Sequence, residues 1–205
     1  MPLANRDLSE TQVLTEVSVE TLDPLAQFES LTDEELTEIF VEDQQAFVVL
    51  YRRYVTRMYS YFAWRFGSRH AEDLTSDVFT RALTGRSGFQ IGKAWRPWLF
   101  GIARNRALEH LRALKKDSSE PEFSESDVRE SVADVAVEVE VNEQAEAIRA
   151  IVAELPETQR EAVQLRFWAG LSYREISEVL GGTEGALRVQ VHRTLRVLKD
   201  RMEKA

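Results

Sequence analysis

From residue 31 onward, apolar side chains recur at intervals of three and four, the spacing that gathers them on one face of an α-helix. Phe47, Leu50, Tyr51, Tyr54, Met58, Tyr61 and Phe62 predict one long amphipathic helix. Leu74, Val78, Phe79 and Leu83 predict another over about 71–83. A further helix runs from about Arg96 to Lys116, with Phe100, Ala103, Ala107, Leu111 and Leu114 as its buried stripe. Trp98, Asn105, Glu109, Arg112 and Lys116 lie opposite, and Pro97 sits in the first turn, where a missing N–H costs nothing. Thr32 followed by Glu35 has the form of a capping box. The first 28 or so residues lack this periodicity and read as disordered. Few runs alternate as strands do, so the predicted fold class is all-α, in two small helical domains.

The last third changes period least and means most. Residues 171–202 read LSYREISEVLGGTEGALRVQVHRTLRVLKDRM. Ile176, Val179 and Leu180 form one apolar face, and Gly181 with Gly182 supply a tight turn. Thr183 is a good N-cap for a second helix, in which Leu187, Val191, Leu195, Leu198 and Met202 make the core-facing stripe. The opposite arc presents small and basic residues, which is the pattern of a helix-turn-helix that lays its second helix in the DNA major groove.

Charge sharpens this picture. The net charge of −9 is wrong for a DNA-binding protein taken as a whole, but it is unevenly distributed. Residues 1–43 hold 12 acidic and 1 basic residue, and residues 117–147 hold 11 acidic and 1 basic. Between them, residues 44–116 hold 14 basic and 4 acidic. Block asymmetry of this kind says more about partners than the total does. The expected organisation is an acidic extension over 1–30, a helical domain over 31–116, an acidic linker over 117–141, and a helix-turn-helix domain over 142–205. As a coil of about 25 residues the linker spans roughly 25–30 Å, and several tens of ångströms more if stretched, so it can hold the two domains apart on one large partner. Val135, Val137, Val139 and Val141 alternate as a strand does, but an extended linker running into a helix capped by Asn142 is preferred.

Other chemistries find little support. There is no cysteine, which fits a reducing cytoplasm, and His70, His110 and His192 lie too far apart for a local metal motif. No apolar run approaches a membrane span, and no signal pattern opens the chain. SGFQIGKA, residues 87–94, is a near miss to a phosphate-binding loop: Ser87 stands where the first glycine belongs, and Ala94 lacks the hydroxyl that holds Mg²⁺. No nucleophile–base pair stands out, so neither an enzyme nor a cofactor is expected.

Taken together, DEELTEIFVEDQQAFVVLYRRY, HAEDLTSDVFTRAL, WRPWLFGIARNRALEHLR, ELPETQREAVQLRFWAGLSYREISEVL and the helix-turn-helix resemble the extracytoplasmic-function (ECF) sigma factors, small promoter-recognition subunits of bacterial RNA polymerase. The resemblance covers residues 31–116 and 142–202. It implies a cytoplasmic protein whose partners are core RNA polymerase and promoter DNA, with an anti-sigma factor as a further candidate partner. Asp73, Leu74, Asp77 and Phe79 would dock on the polymerase clamp helices. Phe89, Lys93, Trp95, Trp98, Asn105 and Arg112 would engage the −10 element, where the duplex opens and an unstacked base is captured; aromatic faces stack on bases while cations follow phosphates. Ala186, Arg188, Val189, Gln190, Arg193 and Arg196 would read the −35 element. At Val189 and Gln190 the chain departs from the small hydroxyl and arginine common in the family, which points to thymine methyls and an adenine as their partners. The rival readings are a stand-alone, dimeric helix-turn-helix regulator and a sigma-like module that binds polymerase without reading promoters.

Overall fold

The computed structural model describes residues 25–117 and 143–203, and every element in it is helical. The expectations for residues 1–24, the acidic linker, the valine alternation and the Asn142 cap lie outside the described residues. The N-terminal half contains α1 (Ala26–Glu29), α2 (Asp33–Ile39), α3 (Gln44–Phe66), α4 (Ser68–Thr84) and α5 (Trp95–Asp117), with a 3₁₀ turn at Arg86–Gly88. The C-terminal half contains α6 (Glu143–Ala153), α7 (Glu157–Phe167), α8 (Tyr173–Leu180) and α9 (Glu184–Met202).

Most of the predicted stripe residues face inward, but Tyr51 of α3 and Leu114 near the end of α5 are exposed. Leu50, Met58, Tyr61 and Phe62 of α3 are fully buried with Val78 of α4 and Leu99, Phe100 and Ala103 of α5. Burying that much aromatic and aliphatic surface is the main force holding the bundle. Tyr61 illustrates the cost for its polar end, since burial pushes its hydroxyl up to about 12. Thr32 accepts from the Glu35 amide while the Glu35 carboxylate accepts from the Thr32 amide, so α2 opens on the capping box. Those bonds favour the ionised carboxylate and lower the Glu35 pKa.

Two expectations need correction. Residues 25–30 are not a featureless tail: Leu25 and Phe28, three apart, are buried, and the Arg53 guanidinium donates to the carbonyls of Glu29 and Leu31. Four residues are too few to show a helical period in sequence, so contact with α3 rather than local pattern orders them. In α9 the buried stripe is Leu187, Val191, Thr194 and Leu198. Leu195 and Met202 are exposed instead, and Thr194 is tolerated inside because its hydroxyl donates to the Gln190 carbonyl at 2.9 Å.

The two halves also pack together. Ala162, Leu165, Leu171, Ile176, Leu187 and Val191 belong to the same buried cluster as Tyr61 and Phe100, and α8 packs along α5. Around this seam, arginines of the N-terminal half meet acids of the C-terminal half. Arg65 pairs with Glu157 and Glu161, Arg104 with Glu161 at 3.1 Å, and Arg96 with Glu175 at 3.2 Å. The acidic linker drew attention to separation, whereas complementary charges scattered through the helices bring the halves together.

Candidate nucleic-acid and polymerase interfaces

The helix-turn-helix is built from its caps outward. Ser172 and Glu175 close a second capping box at the start of α8. Gly181 and Gly182 then turn the chain at φ +80° and +85°, a region that strains any side chain. Thr183 accepts from the Ala186 amide and starts α9. With Leu187, Val191, Thr194 and Leu198 facing inward, Ala186, Arg188, Val189, Arg193 and Arg196 stand exposed and Gln190 half-buried. Arg188 pairs with Glu184 at 2.6 Å and lies 5.6 Å from the centre of the Tyr173 ring. Arg166 lies 5.2 Å from that same ring, so Tyr173 links two cations beside the start of α9.

Around the start of α5 the predicted residues separate into two groups. Lys93, Asn105 and Arg112 are exposed and Trp98 is half-buried. Phe89 and Trp95 are 6% and 1% exposed. Phe40 packs edge-on against both of them at 5.5 Å, and Phe47 packs against Trp95 at 6.2 Å. Phe89 and Trp95 therefore lie in the core, where the sequence left open both a core role and a stacking one. A loop bounded by glycines gave no period from which to tell the two roles apart. Ile91, between Gly88 and Gly92, is exposed.

On α4, Asp73 is exposed, while Leu74 and Phe79 are buried beneath the helix. Asp77 is paired with Arg81 and with Arg106 of α5. Arg81 reaches on to Glu109, whose carboxyl it holds below the usual range through their hydrogen bond. The α4 surface therefore presents two outward acids, Glu72 and Asp73, and one structural acid, Asp77, with apolar anchors below. Tyr51 and Val48 of α3 are exposed beside them, and the Tyr51 ring lies 4.7 Å from Phe79. Helical spacing placed Tyr51 in the core stripe, so only the structure distinguishes it as a surface residue. Among the described residues there is no cluster of three or more His, Cys, Asp or Glu that could hold a metal.

Family comparison agrees with this geometry. The family described as Sigma-70 region 2 matches residues 50–117, and Sigma-70, region 4 matches residues 145–198. The chain is 30% identical over 185 residues to the ECF RNA polymerase sigma-E factor of Escherichia coli K12, covering 85% of this chain and 96% of that protein. The chain belongs to the ECF sigma factors. It binds RNA polymerase and recognises promoters. It is also 34% identical over 169 residues to the ECF sigma factor BldN of Streptomyces coelicolor, covering 76% of this chain but only 60% of BldN. A sigma factor RpoE from Bartonella quintana, solved with the anti-sigma factor NepR, shares the fold at a TM-score of 0.62 and 24% identity, over 77% of this chain and 96% of that one. Sigma factors as a family are not enzymes, and they act with RNA polymerase. Among the described residues no helix is long and apolar enough to cross a membrane.

Proposed function

We propose that the work of this sigma factor is divided between its halves in the cytoplasm. The N-terminal half docks on the polymerase clamp through the outward surface of α4 around Asp73 and Asp77, over the anchors Leu74 and Phe79. It engages the −10 element with Lys93, Trp98, Asn105 and Arg112, and helps to open the duplex there. The C-terminal half lays α9 in the −35 major groove, with Ala186, Arg188, Val189, Gln190, Arg193 and Arg196 toward the bases and phosphates. The observation that carries this reading is α9 itself, capped at Thr183 and buried on one side, with a small and basic opposite arc free to enter a groove. An anti-sigma factor is proposed as a further partner, supported by the relative solved in complex with NepR.

The test is transcription in vitro from a promoter library with added core polymerase. Initiation dependent on both elements supports the division. Tight operator binding by the free protein as a dimer favours the stand-alone regulator, and polymerase capture without initiation favours the binding-only module.

A further inference from the structure

Tyr173 stands where three helices of the C-terminal half meet. It follows the Ser172 cap as the first residue of α8, and its half-buried ring packs against the shared core. Two guanidiniums lie within cation–π range of that ring: Arg166 of α7 at 5.2 Å and Arg188 of α9 at 5.6 Å from its centre. Arg166 is itself tied down, since its Nη1 donates to the Leu171 carbonyl at 3.0 Å. Arg188 is tied to its own helix, where its Nη2 donates to the Glu184 carboxylate at 2.6 Å one turn earlier. The Gly181–Gly182 turn, with Ile176, Leu187 and Val191 buried in one cluster, sets the distance between ring and guanidinium.

These contacts act on a side chain that would otherwise move freely. The Arg188 side chain is 63% exposed, and a long exposed side chain samples many rotamers that it must give up to grip a base edge. A guanidinium reads guanine through two parallel bonds, so its plane must be right and its charge alone is not enough. A phosphate contact needs little more than the charge and positions the protein without reading sequence. We propose that Tyr173 is a positioning residue for promoter selection: its ring and the Glu184 carboxylate hold the Arg188 guanidinium so that one base of the −35 element is selected as guanine. This rests on the reading that α9 enters the −35 groove with Arg188 toward the bases.

Such a holder separates specificity from affinity. Arg166, tied to Leu171, keeps the ring in place, and Glu184 offsets the pull of Arg188 on any nearby phosphate. Without the ring, Arg188 keeps its charge and can still follow the backbone of the duplex. Losing Tyr173 therefore blurs the choice of base at one position. It leaves unchanged how steeply binding falls with salt, because that slope counts the cations that meet phosphates. Arg193 and Arg196, further along α9, keep their own preferences.

The test uses the full chain with core polymerase and a −35 panel carrying every base at each position, read as binding by the complete enzyme at two salt concentrations. Arg188→Ala should flatten the preference at one position, by roughly 5- to 150-fold for a bidentate pair. Tyr173→Leu should flatten that same position by about fivefold or more, with the ranking elsewhere and the salt slope unchanged. In the double variant it should add nothing to Arg188→Ala. Tyr173→Phe, which keeps the ring, should behave as the native chain. Glu184→Ala, at an exposed position, should flatten the same position too, and it decides the matter if circular dichroism shows that Tyr173→Leu costs the fold. A uniform loss across the panel in Tyr173→Phe would assign the hydroxyl to a phosphate and overturn the holder. So would an intact preference at the Arg188 position in a folded Tyr173→Leu or in Glu184→Ala. If Arg188→Ala flattens a position and these variants do not, only the holder falls. If Arg188→Ala flattens none, the assignment of Arg188 to a base falls with it.

Discussion

Asp77 of α4 pairs with Arg106 of α5, and the same carboxylate accepts from Arg81 one turn along its own helix at 3.2 Å. A residue expected only to meet polymerase therefore also ties two helices of the N-terminal bundle together. Asp73, one turn earlier, is exposed on the same helix.

Asp77→Asn should thus affect two measurements and Asp73→Asn one. The Asp77 side chain is 35% exposed, which keeps the value of its ion pairs near ~1 kcal/mol after solvent screening. In a chain of this size that lowers the melting temperature by about 2–4 °C. Core-polymerase capture should weaken in both variants, with the melting temperature unchanged in Asp73→Asn. A normal melting temperature for Asp77→Asn would show that its pairing with Arg106 adds nothing to the fold.

On α9 the two outward arginines should behave differently. Arg193→Ala, if its guanidinium reads a guanine, should cost about 1–3 kcal/mol of discrimination among −35 sequences. Arg196→Ala, if it meets a phosphate, should weaken all −35 variants alike and flatten the salt dependence. The readout is initiation or binding by the complete enzyme across a −35 panel at two salt concentrations. An unchanged ranking for Arg193→Ala would reduce its role to positioning.

These variants rest on parts of the chain that sequence made legible. The α3, α4 and α5 stripes, the Thr32 and Thr183 caps and the Gly181–Gly182 turn all follow from local rules of spacing and backbone geometry. Other features depended on contacts that no local rule contains. Thr194 takes a core place beside the exposed Leu195, its hydroxyl satisfied by the Gln190 carbonyl, and Tyr51 lies exposed on α3 with its ring against Phe79. Phe89 and Trp95 turned inward because Phe40, from a distant short helix segment, completes their cage. The seam was least legible of all, since Arg65 and Glu161 lie nearly a hundred residues apart.

Acid should loosen the N-terminal bundle through His110. Its ring meets Phe66 of α3 and His70 of α4, with centroids 4.9 Å away in each case. Burial, then the neighbouring His70 and Arg106, push its pKa below the ordinary histidine value of 6.5. The unfolded chain therefore takes up the proton first. The stabilisation is fully present above about pH 6.5 and is lost as pH falls toward the lowered folded value. Urea midpoints should drop between pH 7.5 and 5.5 in the native chain, and His110→Gln should make that drop smaller. An equal drop in both would assign the pH dependence elsewhere.

Trp95 and Trp98 are three residues apart, with ring centroids separated by 5.2 Å, yet they should fail in different ways. Trp95 is 1% exposed among Phe40, Phe47 and Phe89, so Trp95→Ala leaves a cavity and should cost about 3–5 kcal/mol of stability. Trp98 is only half-buried, against Phe89 and Trp95, and Trp98→Ala should cost less than that. Its loss should be felt where an unstacked base needs a flat partner, a contact of about 1–3 kcal/mol per base. Permanganate reactivity of unpaired thymines in the −10 region measures this directly. With polymerase bound equally, Trp98→Ala should open fewer promoters than the native chain. If permanganate reactivity is unaffected by Trp98→Ala at normal holoenzyme formation, Trp98 belongs to the core with Trp95, and melting must draw on Lys93, Asn105 and Arg112 alone.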